Sequence, residues 1–317
     1  MSEQRINYSK WIKRSTNTFI PTDNSDTQYK VDAGIYSINY ADNVGFYLFK
    51  KQLSLDEILI LPSNELTKII NDIKTFWSKE EKFREYGYVF KRGILLHGIP
   101  GTGKTCIINL ICKHLTEELD GIVITLTNRD DLYRYSSFMP EVYRMIEPKR
   151  PIITVIEDLE GFCQSPESES HLLNILDGIE QLENVVYLAT TNYIDKLSPR
   201  ITNRPNRFDR KIEVKLPSAE VRRVYFNAKL KDTDKEIINI EEWVKRTEGL
   251  SMAHLGEVIK SVIILGNSFE DTMLILSGLK VDREPVGFFS KSTTEQPINY
   301  KAYSDEPRTE LVREKIR

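Results

Sequence analysis

Apolar positions follow two rhythms along the 317 residues. In the middle of the chain, short continuous apolar runs alternate with stretches whose apolar residues recur every three or four positions. Gly93-Ile-Leu-Leu96, Ile122-Val-Ile-Thr-Leu126, Ile152-Ile-Thr-Val-Ile156, Val185-Val-Tyr-Leu-Ala189 and the run from Lys211 to Val214 read as strands. Lys104 to Leu115, Pro140 to Ile146 and Leu172 to Leu176 read as the helices between them. Strands apolar on both faces, separated by helices, predict an α/β fold with a parallel sheet covered on both sides.

The flanks differ. Residues 1–28 are polar and rich in Ser, Thr and Asn, which predicts a flexible arm. Gly34 to Tyr40 and Gly45 to Phe49 are β-branched and aromatic around Ala41-Asp-Asn43, so a hairpin is predicted there. Leu53 to Leu61 continues as an apolar stretch to Pro62, and residues 29–63 read as a small β-rich N-terminal domain. Asn64 to Trp77 places Ile69, Ile70, Ile73, Phe76 and Trp77 at helical spacing. Ser78-Lys-Glu-Glu81 matches a capping box, opening a second short helix that Gly87 ends. Residues 64–217 then form the large α/β domain. Pro217-Ser218 opens an all-helical domain, 218–278, with helices over Val221–Leu230, Ile240–Arg246, His254–Leu265 and Glu270–Leu276. Residues 279–317 read as a polar tail interrupted by Pro285, Pro297 and Pro307, with a terminal helix from Thr309.

Composition narrows the function classes. A net charge of −3 and a pI near 6.0 argue against a protein held to nucleic acid by bulk charge, while leaving room for a local basic groove. Cys106, Cys112 and Cys163 lack zinc-ligand spacing and read as free thiols in a reducing compartment. His97, His114, His171 and His254 share no metal spacing. Met1 to Lys10 has no apolar signal region, and no apolar run is long enough to span a bilayer. The expected location is cytoplasmic.

Gly98-Ile-Pro-Gly-Thr-Gly103-Lys104-Thr105 matches GxxxxGK[ST] in full, between an apolar strand and a helix. Glycines there let backbone N–H groups curl around phosphates, and the helix start adds its positive dipole end. Lys104 would place its charge on the β- and γ-phosphates, and the Thr105 hydroxyl would ligate Mg²⁺. The strand Ile152–Ile156 leads directly into Glu157-Asp158. Two carboxylates at the C-terminal end of a buried strand, beside a phosphate loop, can divide two tasks: one holds the Mg²⁺ shell and the other polarises the attacking water.

With these residues in place, the chain resembles the AAA ATPase family. Lys91 to Thr105 resembles the opening of an AAA module, Leu188-Ala-Thr-Thr-Asn192 its sensor-1 strand, and Leu197-Ser-Pro199 with Asn203-Arg-Pro-Asn-Arg-Phe-Asp-Arg210 its second region of homology. Gly249-Leu-Ser-Met-Ala253 resembles the start of a lid helix. The resemblance covers about residues 64–278 and implies a P-loop NTPase sheet with a C-terminal helical lid. The nucleotide-binding residues it implies are Gly98, Pro100, Gly101, Thr102, Gly103, Lys104, Thr105 and Cys106. By position, Glu157 and Thr105 would serve Mg²⁺ and Asp158 the water. Asn192 would orient that water, and Arg204 and Arg207 would reach the site of a neighbouring subunit.

Three departures from the family pattern stand out. The acidic pair runs Glu then Asp, an order that also occurs in the subgroup of the mitochondrial chaperone assembling respiratory complex III. The segment between Leu197 and Arg204 is about one residue longer than usual. The aromatic-hydrophobic-glycine pore loop has no counterpart after the second strand. Asn128 to Tyr135 stands there instead, with Leu132 and Tyr133 either gripping substrate or packing. The resemblance implies an ATP- and Mg²⁺-dependent ATPase that remodels or translocates protein as a homo-oligomer, a hexamer by family habit. A nucleic-acid-associated ATPase and a nucleotide-gated scaffold with little turnover are the alternatives.

Overall fold

A computed structural model describes residues 10–22, 27–51, 64–178 and 182–278. The segment Leu53–Pro62, the last part of the 29–63 domain and the whole 279–317 tail with its expected terminal helix lie outside the described residues. Nine strands form one sheet: β1 (Lys10–Ser15), β2 (Thr18–Thr22), β3 (Gly34–Ala41), β4 (Gly45–Lys51), β5 (Lys91–His97), β6 (Ile122–Leu126), β7 (Ile152–Ile156), β8 (Val185–Thr191) and β9 (Arg210–Glu213). Their spatial order is β1-β2-β4-β3-β6-β7-β8-β5-β9. From β3 to β9 every pairing is parallel, whereas β1, β2, β4 and β3 pair antiparallel.

The parallel half is the α/β fold that the apolar runs predict. Helices α1 (Asn64–Trp77), α2 (Glu80–Glu85) and α3 (Lys104–Glu118) come first, then α4 (Arg129–Phe138), α5 (Arg144–Ile146), α6 (Pro166–Asp177) and α7 (Pro199–Thr202). One core joins Ile69, Ile73 and Phe76 of α1 and Ile108 and Ile111 of α3 to Ile94, Leu96, Val123 and Ile153 of the sheet. The other joins Leu132, Tyr135 and Phe138 of α4 and Leu172 and Leu176 of α6 to Leu95, Ile122, Ile152 and Tyr187. Apolar residues on both faces of β5 to β8 are therefore all used, as burial by about 25 cal/mol per Å² favours.

The structure departs from the sequence expectations in four places. Residues 10–15 and 18–22, expected as part of a flexible arm, form the β1–β2 hairpin, and Trp11 is 0% exposed. Its indole N–H donates to Glu147 Oε1 at 3.0 Å, and Glu147 is also held by the Val31 N–H at 2.9 Å and by Arg150 at 2.6 Å. Next, β3 and β4 do not form a module of their own: Gly34–Tyr36 pair with Ile122–Ile124 of β6, so the N-terminal strands extend the central sheet. The Ser78 capping box is not formed, because the Ser78 hydroxyl donates to the Thr75 carbonyl and α2 begins two residues later without a side-chain cap. Finally, residues 129–138, outside the helix expected from Pro140 to Ile146, are helical. Asn128 caps that helix by accepting from the Asp131 N–H at 3.0 Å, and a π-helical turn, Met139–Tyr143, continues it through Pro140.

A separate helical unit follows: α8 (Ala219–Lys229), α9 (Asp232–Ile237), α10 (Ile240–Arg246), α11 (Met252–Ile259) and α12 (Phe269–Gly278). Phe226, Trp243, Leu250, Leu255, Val258 and Leu276 make its core. Among the described residues no helix is long and apolar enough to cross a membrane.

Candidate functional site

Strand order builds the site. After β5 the chain crosses to β6, then fills back through β7 and β8, so β8 lies between β7 and β5. The loop after β5, the turn after β7 and the end of β8 therefore converge at the C-terminal edge of the sheet, where open α/β sheets bind ligands.

Gly98–Gly103 forms the loop between β5 and α3. Gly101 and Gly103 sit at φ +77° and +98°, a region in which only glycine is unstrained. Gly103 thereby turns the chain into α3 and leaves the first N–H groups of a 15-residue helix pointing at the loop. Thr102 is buried and its hydroxyl donates to the Ile99 carbonyl at 3.0 Å, holding the turn. Pro100, Thr105 and Cys106 lie exposed at the mouth.

Lys104 is only 7% exposed, and its ammonium donates to the carbonyls of Gly98 at 2.7 Å and Ile99 at 3.1 Å. Both partners are neutral. Burial lowers its pKa, against the opposing pull of Asp158 and Glu160. An anion in the loop would give this cation the partner that carbonyls do not.

The two carboxylates after β7 are in different situations. Glu157 Oε1 is buried with no hydrogen-bond partner, a costly state that a cation would relieve. Asp158 is exposed and held in the left-handed region at φ +51°. Its N–H donates to Thr190 Oγ1 at 3.1 Å, and its Oδ1 accepts from Asn192 Nδ2 at 3.2 Å. The structure thus brings Lys104, Asp158 and Asn192 together. The chemistry of Thr105 and of the orphaned Glu157 oxygen fits a Mg²⁺ ion, to which they would supply two hard oxygens. Among the described residues no three His, Cys, Asp or Glu side chains could hold a metal by themselves, so the phosphates would complete the shell.

The helical unit closes over the loop. Ala253 N–H donates to the Gly101 carbonyl at 3.1 Å, and a Cβ on Gly101 would lie 2.7 Å from Ser251 Oγ. The start of α11 therefore rests directly on the phosphate loop.

The two arginines separate. Arg207 is 3% exposed and bound to Asp177 through Nε at 2.8 Å and Nη2 at 3.1 Å, with Nη1 on the Arg200 carbonyl. Expected to reach a neighbour, it is instead locked inside its own chain. Arg204 is 65% exposed, with Asp177 3.9 Å away. The Asn203–Asp209 loop packs beside the N-terminal half of β5, where a Cβ on Gly93 would collide with the Arg207 carbonyl and the Gly93 N–H donates to Asp209 at 3.2 Å. The phosphate loop begins five residues further along that strand, about 16 Å away at strand rise. Arg204 is thus set apart from the phosphate loop of its own chain.

Leu132 is buried in the core, while Tyr133 is 48% exposed, its hydroxyl donating to Glu167 at 3.3 Å and its ring 4.2 Å from His171. Three residues of the site were not singled out in the sequence. Thr190 anchors the Asp158 turn, Asp177 anchors Arg207, and Glu160 contacts Thr191 and Asn192. Glu160 alone carried a local signal, as the third carboxylate of Glu157-Asp-Leu-Glu160.

Residues 94–216 match the family model for the ATPase family associated with various cellular activities (AAA). The chain is 32% identical over 218 residues to ATP-dependent zinc metalloprotease FtsH 2 of Sphaerobacter thermophilus, covering 64% of this chain and 33% of that protein. It is 33% identical over 195 residues to the proteasome-activating nucleotidase of Saccharolobus solfataricus, covering 56% of this chain and 48% of that protein. The corresponding protein of Aeropyrum pernix is 31% identical over 197 residues, 56% of this chain and 46% of the relative. The chain thus spans a third to a half of the length of these relatives.

Proposed function

The chain carries a P-loop ATPase domain of the AAA family, and on that premise we propose that it hydrolyses Mg²⁺-ATP at sites shared between copies and uses the cycle to remodel or translocate protein. The observation that carries the reading is the position of Arg204. It is exposed, on a loop beside the N-terminal half of the strand whose C-terminal end bears the phosphate loop. Such a side chain serves a phosphate site by presenting itself to another copy. Repeated head to tail, that contact closes a ring.

Within each site, Gly98, Gly101 and Gly103 cradle the phosphates, with Pro100, Thr102 and Cys106 framing the loop. Lys104 turns from its carbonyls to the β- and γ-phosphates. Thr105 and Glu157 would hold the cation, which would supply charge neutralisation at the phosphoryl group. Asp158 polarises the water that Asn192 orients. Arg204 of the next copy stabilises the transition state. A protein substrate is favoured over nucleic acid by the relatives' names, which attach them to ATP-dependent proteolysis and to proteasome activation. The net charge of −3 points the same way. None of the four histidines here forms His-Glu-x-x-His, so this sequence holds no zinc-protease motif of that type. Tyr133 is the exposed aromatic best placed after β6 to touch a polypeptide.

The test is Mg²⁺-ATP hydrolysis against protein concentration, followed by mixing of inactive variants. Lys104→Ala copies can lend Arg204 to the intact phosphate loops of Arg204→Ala copies. Mixing the two should restore part of the activity that each lacks. Activity per molecule that is independent of concentration, with no complementation, would sink the shared-site reading.

A further inference from the structure

Glu160 lies two residues past the acidic pair, on the 3-10 turn Leu159–Cys163. Its carboxylate spans the gap between the β7 turn and the end of β8. Oε2 accepts from the Thr191 hydroxyl at 2.7 Å, and Oε1 accepts from the Asn192 backbone N–H at 3.3 Å. Thr191 is fully buried and its hydroxyl accepts in turn from the Tyr193 N–H at 3.0 Å. Asn192 is thus gripped on both sides along the backbone: Glu160 takes its own N–H, and Thr191 ties the residue after it. The amide side chain is held separately, its Nδ2 donating to Asp158 Oδ1 at 3.2 Å.

The geometry points to Glu160 as the positioning residue of the Asn192 sensor. It sets the backbone from which the Asn192 amide reaches either Asp158 or a γ-phosphate with its water. Asp158 and Glu160 belong to one short turn, and Asp158 is fixed to β8 by its N–H on Thr190 Oγ1. The turn and the sensor are therefore one cross-braced unit, with Thr190 tying one residue to β8 and Glu160 tying the other. A displacement of about 1 Å in such an assembly can cost on the order of 10²-fold in rate, because the water must stay in line with the phosphoryl group.

The brace works through hydrogen bonds, which separates it from a simple charge effect on Lys104. A glutamine at 160 can keep both contacts: its carbonyl accepts from the Asn192 N–H, and its amide donates to the Thr191 hydroxyl, which rotates to accept. An alanine keeps neither. Thr191→Val removes the second anchor from inside the core at nearly constant volume.

This inference rests on the proposed hydrolytic reading, and the experiment separates the two. Turnover and ATP affinity are measured at saturating protein concentration for Glu160→Ala, Glu160→Gln, Thr191→Val, Asn192→Ala and the double variants with Asn192→Ala. The expected result is a fall in kcat of about 10²-fold for Glu160→Ala, recovery to within a few fold for Glu160→Gln, and ATP affinity within about twofold of the parent throughout. In the Asn192→Ala background neither Glu160→Ala nor Thr191→Val should lower kcat further, since residues acting through one another are not additive. Should Glu160→Ala fail to fold, Thr191→Val carries the same test. Full additivity with Asn192→Ala would overturn the brace. So would equal loss in Glu160→Gln and Glu160→Ala together with weakened ATP binding. An Asn192→Ala protein with parental turnover would instead overturn the reading of Asn192 itself.

Discussion

Arg207 and Asp177 form a two-point ion pair inside one chain, Nε to Oδ2 at 2.8 Å and Nη2 to Oδ1 at 3.1 Å. The same carboxylate lies 3.9 Å from Arg204, whose side chain is free in solvent on its other side. Two arginines three residues apart therefore have different work. Arg207→Ala should leave Asp177 without its buried partner and cost roughly 3 kcal/mol, lowering the melting temperature by about 6–12 °C for a domain of this size. Arg204→Ala should leave the melting temperature unchanged and lower turnover by about 10³-fold. Differential scanning calorimetry and a steady-state assay on both variants decide it. The reverse pattern would mean that the exposed arginine is structural.

Glu157 is half-buried, and its enclosed Oε1 has no hydrogen-bond partner. A group in that state is a poor contributor to stability without a cation, so Glu157→Gln should not lower the unfolding free energy. It should weaken Mg²⁺ retention and reduce hydrolysis by about 10²-fold, equivalent to ~2.7 kcal/mol of barrier. Removing Mg²⁺ with a chelator should abolish turnover in the parent protein, and added Mg²⁺ should restore it. A Glu157→Gln protein with parental activity at low Mg²⁺ would remove this residue from the cation shell.

Gly101 joins the loop before α3 to the start of α11, its carbonyl accepting from the Ala253 N–H at 3.1 Å. Its φ of +77° strains any other residue, and an added Cβ would meet Ser251 Oγ at 2.7 Å and Ala253 Cβ at 3.0 Å. Gly101→Ala should cost about 1–2 kcal/mol at this position and push the start of α11 off the loop. ATP affinity should drop by roughly tenfold, while the core of β5 to β8 remains folded. Calorimetric titration with a non-hydrolysed ATP analogue measures it. Unchanged affinity would show that the contact between Ala253 N–H and the Gly101 carbonyl plays no part in holding nucleotide.

What could be read from the sequence was local. Strands β6 and β7 coincide with apolar runs on both faces, and the phosphate loop and acidic pair are contiguous motifs. The limits of β5 and β8 extend past their apolar runs, because Lys91, His97, Thr190 and Thr191 pair in register without looking like strand residues. Helix α4 has no counterpart among the expected helices because Arg129, Asp130 and Arg134 break up its apolar spacing. Its capping residues, Asn128 and Asp131, and its inward Leu132, Tyr135 and Phe138 were the available signal. The burial of Arg207 depends on Asp177, thirty residues earlier, and no local pattern carries that information.

The N-terminal hairpin makes the same point at longer range and leads to the last prediction. Residues 10–22 belong to a stretch that reads as polar from its Ser, Thr and Asn content, and only Trp11, Phe19 and Thr22 within them are buried. Its order comes from elsewhere. Trp11 packs 6.0 Å from Phe138 and 5.9 Å from Tyr143, and its N–H meets Glu147, 136 residues away. Glu147 and Arg150 are both nearly fully buried and paired at 2.6 Å, and Arg150 also reaches the Val31 and Asp120 carbonyls. Trp11→Ala would remove a fully buried ring and one donor to a buried carboxylate, so it should cost about 3–5 kcal/mol in urea unfolding. A frayed arm would predict a change within about 0.5 kcal/mol. Because β2 pairs with β4, and β4 reaches β6 through β3, the loss should appear in the same cooperative transition as the ATPase core. A separate early transition that leaves that core intact would instead mean that the antiparallel strands unfold as a unit of their own.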